Sequence, residues 1–372
     1  MNEEFDIGFV GGGQLARMSI QAAQRLGLRC LSVDQGEDTP ASQVAPSIDA
    51  ALHDLEALTQ LISSCRRVTL ENEFVPAKLL EHACLEAKKP KDVILPGLDC
   101  LAIIQDKLFQ RQAYKGADIP SPKAVAIEDD GTLAIMQIGF PVVIKSRTGG
   151  YDGKGTRTVQ NAEAFEDFRT LWEDGNWLAE EFVPFKRELA VMVYRSESGV
   201  GAFPTMESLQ TNHVCDLVFP ADADASDIAA QAVLAVDGYG LFGVELFQLQ
   251  DGSFMVNEIA PRPHNSGHYS MDWGGISQFE QHIRLVMGLP CAPPKGQPTC
   301  MANLLGQPGA GDWRNGLAAA LTLDPLVAVH WYGKSEPRPG RKMGHLNAVG
   351  DDSVERAKRA RQAFYDAWAA NG

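Results

Sequence analysis

The segment LFGVELFQLQDGSFMVNEIA, Leu241 to Ala260, leaves few ways to fold. Aromatic and β-branched residues flank Asp251-Gly252, the dipeptide that favours a two-residue type I′ turn between antiparallel strands. Such a loop sets Gln250 opposite Ser253. Stepping outward, Leu249 pairs with Phe254, Phe247 with Val256 and Glu245 with Glu258. The two carboxylates are then expected on one face, with Cβ atoms about 5 Å apart. Like charges so placed repel, and the same face carries Leu249, Phe254, Phe247 and Val256. A divalent cation bridging the acids relieves the repulsion; a shared proton or a neutralising arginine is the alternative. Mg²⁺ carrying nucleotide phosphates suits a pair of carboxylates, because its remaining ligands come from phosphate and water. Strict alternation turns Asn257 to the other face, so a role for it beside the acids requires a bulge.

A second segment points to the same ligand. In VVIKSRTGGYDGKGTRTV, Val142 to Val159, a strand ends at Lys145, a loop follows with Gly149, Gly150, Gly153 and Gly155, and a second strand leaves through Thr156. Glycines let backbone N–H groups approach anionic oxygens, and Lys145, Arg147 and Lys154 add positive charge. Lys154 is followed by Gly155 and a strand, so this is no Walker A loop. The expectation is a Gly-rich hairpin closing over phosphates, with a mobile loop of solvated cations as the bland alternative.

The N-terminal third alternates strand and helix. Asp6 to Val10 reads as a strand, Gly11-Gly12-Gly13-Gln14-Leu15-Ala16 opens a helix, and Leu28 to Val33 is a strand ending at Asp34. This matches the dinucleotide fingerprint, although such a turn also binds other phosphates or only packs helix on strand. Helices at Leu55 to Ser63 and Pro76 to Ala87, with strands at Arg67 to Leu70 and near Val93, continue the pattern and imply a parallel sheet. Glu73 then lies at a strand end of the kind that faces a ligand crevice, either as a ligand contact or as a solvated acid. A helix bearing Asp106, Lys107 and Arg111 leads to a proline-rich boundary at Ala117 to Lys123. The next domain, roughly Pro122 to Phe182, is expected to hold the Gly-rich hairpin and one helix, Ala162 to Trp172.

The net charge of −15 argues against nucleic acid or an anionic membrane as partner, so any polyanionic ligand must meet locally concentrated cations. No apolar run approaches a membrane span, and the opening MNEEFDIGFVGGG lacks the pattern of a signal peptide. Seven scattered cysteines without CxxC fit reduced thiols in a cytoplasm and no zinc site. Beyond the paired acids, Ala260-Pro-Arg262-Pro-His264-Asn265-Ser-Gly-His268 crowds polar groups together, and Arg262 is placed to stabilise charge on a transferring phosphoryl group. Ser277-Gln-Phe-Glu280 is a capping box for a helix read as structural. The C-terminal stretch Lys334 to Lys342 holds four cations, Lys334, Arg338, Arg341 and Lys342, in nine residues, an anion site or a solvated basic loop.

Together KSRTGGYDGKG, the paired-acid hairpin, APRPHNSGH and HWYGKSEPRPGRKMGH resemble the 5-(carboxyamino)imidazole ribonucleotide synthetases, an ATP-grasp family of purine biosynthesis. The resemblance covers nearly the whole chain. It implies an α/β fold of three domains: a Rossmann-like parallel sheet (1–105), an ATP-grasp region (106–298) with a hinged α+β lid (about 122–182), and a small β-rich C-terminal domain with a terminal helix (299–372). It implies that Lys107 and Lys145 approach the ATP phosphates under a loop of Gly150, Tyr151, Asp152, Gly153, Lys154, Gly155 and Thr156. Glu180, Glu181, Phe182 and Val183 would meet adenine, Glu188 the ribose, and Asn257 the metal-bound nucleotide, with Glu245 and Glu258 holding Mg²⁺. The acceptor, 5-aminoimidazole ribonucleotide, is expected at Glu73, Tyr151, Asp152, His264, Asn265, Lys334, Arg341 and Lys342. Asp152, Arg262, His264 and Asn265 form the expected catalytic group. The family commonly has a His where Gln210 stands, so no contact is transferred from that strand.

The implied reaction consumes ATP and bicarbonate without biotin, in a cytoplasmic homodimer that uses neither nucleic acid nor membrane. Three other readings stay open on sequence: an NAD-dependent oxidoreductase, another ATP-grasp ligase acting on a phosphorylated purine precursor, and a nucleotide sensor without catalysis.

Overall fold

The computed structural model describes residues 4–129, 131–150, 155–167, 176–211, 214–309 and 311–369. Its first unit is a five-stranded parallel sheet in the order Ser47–Asp49, Cys30–Asp34, Phe5–Val10, Cys65–Leu70, Ile94–Leu95. The apolar runs are buried from both sides, as parallel strands covered by helices must be. Gln14–Arg25 packs on one face, where Ile7 and Phe9 lie. Leu55–Ser64 and Ala77–Glu86 cover the other, where Val10, Val68 and Leu70 lie. The carboxyl ends of the central strands bring Gly11, Asp34 and Glu71 to one edge.

The helix Lys107–Gly116 begins at Asp106, whose carboxylate accepts the Leu108 N–H at 2.9 Å. Asp106 is thus the cap of the helix, outside its first turn. Arg147 grips the same carboxylate with Nε (3.1 Å) and Nη2 (2.5 Å), while the Lys107 N–H donates to the Arg147 carbonyl at 2.9 Å. The guanidinium expected among the phosphate-facing cations is therefore a tether between the lid and this helix.

The lid is a four-stranded antiparallel sheet in the order Ala124–Ala126, Trp177–Glu181, Val142–Ser146, Thr156–Val159. Among the described residues two helices back it, where one was expected: Thr132–Ile138, bounded by Gly131 and Gly139, and Ala162–Glu166. The first has only seven residues, too few to show helical periodicity. The remainder of the expected Ala162 to Trp172 helix falls partly on 168–175, outside the described residues. Gly155 stands at φ +77°, and a Cβ there would lie 3.1 Å from the Ser146 Cβ. Backbone geometry alone therefore favours glycine at this position.

A nine-stranded antiparallel sheet forms the rest. Its main path is Phe254–Ala260, Gly240–Gln248, Arg187–Ser196, Met206–Thr211, Val214–Pro220, Thr299–Leu305, Lys342–Val349, Ala328–Trp331, with Gly199–Ala202 beside Arg187–Ser196. The C-terminal strands thus continue the sheet that carries the paired acids. Helices Trp313–Leu323 and Ser353–Ala369 pack on their outer face around Phe364 and Trp368.

The acid hairpin differs from expectation in a way that cancels. The Leu249 N–H bonds the Ser253 carbonyl, the Gly252 N–H bonds the Leu249 carbonyl, and Gly252 sits at φ +89°. The loop is therefore three residues, Gln250 to Gly252, closed by a left-handed glycine. Register moves by one, giving Gln248↔Phe254, Phe247↔Met255 and Leu246↔Val256. A bulge then takes up Asn257 and restores Glu245↔Glu258. Val256 consequently faces the core with Leu246, not the acids.

Candidate active site

The three sheets converge on a cleft of about 540 Å³. One wall is the hairpin, where the bulge turns Asn257 to the same side as Glu245 and Glu258. Lys107 Nζ donates to Glu258 Oε1 at 2.7 Å. Burial pushes the Glu258 carboxyl up, but the Lys107 ammonium, with Lys145 and Arg111 behind it, outweighs this and holds it below the usual carboxylate range. Glu258 is thus kept ionised at the half-buried cleft wall, as a cation ligand must be. Across from it, Glu245 Oε1 lies 3.6 Å from His264 Nε2. Two opposed carboxylates with an amide oxygen alongside fit a small hard cation that completes its shell from phosphate and water.

The second wall is the lid. Lys145 Nζ reaches Glu180 Oε2 at 2.5 Å and Asn257 Oδ1 at 3.4 Å, and Arg111 Nε donates to Glu180 Oε1 at 2.7 Å. Glu180 is 2 % exposed. Its burial raises the carboxyl, yet Arg111 and Lys145 overcome that and hold it low. The side chain of Glu180 therefore aims Lys145 across the cleft, a role separate from any its backbone plays toward a base. Glu181, Phe182 and Val183 line the cleft beside Glu188, Gly150 and Thr156. Phe185 stacks on Phe247 with ring centroids 4.5 Å apart and planes 4° apart, making a flat apolar floor suited to an aromatic base. Tyr151, Asp152, Gly153 and Lys154 lie outside the described residues.

The third wall joins the first sheet to the segment after the hairpin. Arg262 forms a two-pronged pair with Glu73, Nε to Oε2 at 2.5 Å and Nη2 to Oε1 at 2.9 Å. Burial lowers the guanidinium, but Glu73 more than compensates and raises it. Both of these residues reach the cleft, each already engaged by the other. His264 Nδ1 meets Ser266 Oγ at 2.9 Å. Its main chain is held by Gln278, which accepts the His264 N–H and donates to its carbonyl, both at 2.9 Å. Ser277 does cap the helix Gln278–Val286, but that helix is more than structural, since Gln278 is its means of holding the site. Nothing in the periodicity distinguishes such a glutamine from a surface one. His264, Asn265 and Lys342 line the cleft; Lys334 donates to the Lys342 carbonyl at 2.8 Å, and Arg341 donates to the Glu336 carbonyl on the same loop.

The glycine turn at the first sheet does not receive a dinucleotide. The Gly12 N–H donates to Asp34 Oδ2 at 2.8 Å and the Leu15 N–H to Glu71 Oε1 at 3.4 Å. A Cβ on Gly13 would fall 2.4 Å from Glu71 Oε1. Carboxylates occupy the place a pyrophosphate needs, which overturns the NAD-dependent reading. Burial raises the Glu71 carboxyl above its ordinary range, ahead of the opposing hydrogen bonds from Asn72 and Leu15. A raised folded-state value stabilises the fold below the unfolded-state value and loses that contribution as pH rises through the folded one. Glu71→Gln, which has no charge to bury, is therefore expected to gain melting temperature relative to the parent as pH is raised from 5 to 8. Each kcal/mol corresponds to about 2–4 °C in domains of moderate size. Parallel melting curves across that range would show that Glu71 does not titrate there.

A lid of antiparallel strands facing a carboxylate hairpin, with lysines reaching in from both sides, defines an ATP-grasp enzyme. The ATP-grasp domain family matches residues 112–279, the ribonucleotide synthetase preATP-grasp domain residues 5–105, and the phosphoribosylaminoimidazole carboxylase C-terminal domain residues 299–359. The N5-carboxyaminoimidazole ribonucleotide synthase of Synechococcus elongatus is 39% identical over 373 residues, spanning 95% of this chain and 92% of that protein. The carboxyaminoimidazole ribonucleotide synthase of Aspergillus clavatus, solved in complex with ATP, superposes with a TM-score of 0.88 at 31% identity over 99% of this chain and all of that one (100%). A second structure from that organism, with ADP and 5-aminoimidazole ribonucleotide, gives 0.87 at 32% identity, covering 99% of each chain. The chain belongs to the N5-carboxyaminoimidazole ribonucleotide synthase family, ATP-dependent ligases of purine biosynthesis.

Proposed function

We propose that this cleft carboxylates 5-aminoimidazole ribonucleotide to 5-(carboxyamino)imidazole ribonucleotide, using ATP and bicarbonate and passing through carboxyphosphate. The observation that carries this reading is the opposition of Glu245 and Glu258 at the Asn257 bulge, between lysines on one side and Arg262, His264 and Asn265 on the other. The division into units at 1–105, 106–298 (lid about 122–182) and 299–372 is taken as functional: sheet edge for the acceptor, lid for the nucleotide, basic loop for the acceptor phosphate.

Glu245 and Glu258, with Asn257, would hold Mg²⁺, which when bound neutralises phosphate charge and orients the γ-phosphoryl group. Lys107 and Lys145 lie where they offset the negative charge of ATP, and the Phe185–Phe247 floor takes the base with Glu188 near the ribose. A bicarbonate oxygen forms a bond to the γ-phosphorus as the bond to the bridging oxygen breaks and ADP leaves. Carboxyphosphate then splits its C–O bond to CO₂ and phosphate. The exocyclic amine of the acceptor forms the new C–N bond and gives up one proton, which phosphate can take. Arg262, pinned by Glu73, faces the transferred charge, and His264 and Asn265 orient the acceptor. No side chain needs to form a covalent intermediate; orientation and exclusion of water from a hydrolysable intermediate supply the catalysis. Among the described residues no helix is long and apolar enough to cross a membrane. A cytoplasmic homodimer is the assembly the family resemblance implies.

The direct test is ADP release by the purified protein. It is expected to require bicarbonate and to rise when 5-aminoimidazole ribonucleotide is added. ADP release that responds to some other phosphorylated purine precursor and not to this one would transfer the chain to a different ATP-grasp activity.

A further inference from the structure

Asn265 does not meet the cleft alone. Its amide is closed into a two-bond ring with that of Asn303: Asn303 Nδ2 donates to Asn265 Oδ1 at 2.7 Å, and Asn265 Nδ2 donates to Asn303 Oδ1 at 3.0 Å. Asn303 lies on Thr299–Leu305, in the C-terminal part of the large sheet, and is 0 % exposed. Its second N–H donates to the Cys215 carbonyl at 2.8 Å, on the neighbouring strand Val214–Pro220. A backbone carbonyl only accepts, so the Asn303 amide can stand only one way round. That orientation, passed through the ring, dictates which side of Asn265 is donor and which is acceptor. The ring consumes one N–H and one lone pair of Asn265 and leaves one of each for a ligand. Without Asn303 the terminal amide has two near-equivalent orientations that exchange donor and acceptor.

We propose that Asn303 is a positioning residue for acceptor binding: it fixes the amide of Asn265 so that its donor and acceptor face 5-aminoimidazole ribonucleotide in the correct sense. This rests on the reading of Asn265 as an acceptor contact. Asn303 itself reaches no ligand; it transmits the geometry of the C-terminal strands to the start of the short helix Asn265–Met271. A neighbouring amide, Gln278, fixes the main chain of His264 by the same principle, so His264 and Asn265, both among the expected acceptor residues, are each held by a buried amide from a different element.

A double-mutant cycle on the full-length enzyme tests this, using Asn303→Ala, Asn265→Ala and the pair, with KM measured separately for acceptor and ATP. Asn303→Ala is expected to raise the acceptor KM about tenfold, the equivalent of losing one oriented hydrogen bond, and to move the ATP KM less than twofold. The double variant is expected to be no worse toward the acceptor than Asn265→Ala, because the effect of Asn303 passes through that residue. Asn303→Ser retains a donor for the Cys215 carbonyl but cannot close the ring, so it should show the same KM split if the alanine variant fails to fold. Equal loss of ATP and acceptor affinity, a lowered melting temperature with unchanged acceptor KM, or multiplicative effects in the double variant would each overturn the proposal. An unchanged acceptor KM in Asn265→Ala alone would instead remove the acceptor role of Asn265 itself, and the proposal with it.

Discussion

Glu258→Gln and Glu245→Gln are each expected to lower ADP formation by at least about a hundredfold at ordinary Mg²⁺, the scale on which one preorganised electrostatic contact to a transferring group acts. Glu258 gives the sharper result. It faces Glu245 across the hairpin and is kept ionised by Lys107 at 2.7 Å. Glutamine keeps the shape and one carbonyl oxygen but removes the charge that a divalent cation and Lys107 share. Lys107 then sits opposite a neutral amide while 14 % exposed, so a modest loss of stability accompanies the kinetic effect. The Glu245 variant lacks that complication, since the neighbour of Glu245 is His264 at 3.6 Å. Raising Mg²⁺ is expected to recover part of the lost rate in Glu245→Gln. Steady-state ADP formation against Mg²⁺ concentration decides the matter: near-normal turnover in either folded variant would remove the metal role from the hairpin.

Substitution in the basic loop is expected to separate the two substrates. Lys334 and Arg341 lie on the loop that precedes the strand Lys342–Val349, whose first residue, Lys342, shares the cleft wall with His264 and Asn265. The acceptor carries a 5′-phosphate, and the protein around it has a net charge of −15. A charge-assisted contact to phosphate contributes roughly 1.5–3 kcal/mol, which is about tenfold to a hundredfold in affinity. Lys334→Ala and Arg341→Ala should therefore raise the acceptor KM by that factor, leave the ATP KM nearly unaltered and weaken stimulation of ADP release by the acceptor. Lys334 also donates to the Lys342 carbonyl and lies over the Tyr332 ring at 5.6 Å, so its variant loses loop geometry along with charge. Loss of ATP and acceptor affinity in equal measure would mark the loop as a support of the fold.

The parallel sheet, the lid hairpin and the opposed acids were legible in the residues because each follows from local periodicity and turn chemistry. The opposition of Glu245 and Glu258 was reached through a two-residue turn, whereas the chain makes a three-residue turn and recovers the register with a bulge. Two one-residue shifts cancel, and only tertiary packing of Val256 with Leu246 reveals either of them. The same bulge brings Asn257 round to the acids, the condition its role required. The Gly11–Gly13 turn left its readings open because a phosphate-binding turn and one filled by its own carboxylates have the same local sequence; Asp34 and Glu71 come from the ends of other strands. Arg147 pointed to phosphate by charge and neighbourhood, but Asp106 claims it. Gln278, Asn303 and the Phe185–Phe247 stack carry no local signature at all: an amide that holds another residue's amide, or two rings that meet across strands, exists only once distant segments are brought together.

The most direct measurement follows bicarbonate labelled with ¹³C and ¹⁸O through one turnover in the presence of ATP, Mg²⁺ and 5-aminoimidazole ribonucleotide. Attack of bicarbonate oxygen on the γ-phosphorus predicts that each ADP formed is matched by one phosphate bearing a single ¹⁸O and one ¹³C carboxylate on the exocyclic nitrogen of the acceptor. Phosphate free of ¹⁸O, or ADP formed with no ¹³C on the acceptor, would contradict carboxylation through carboxyphosphate in this cleft.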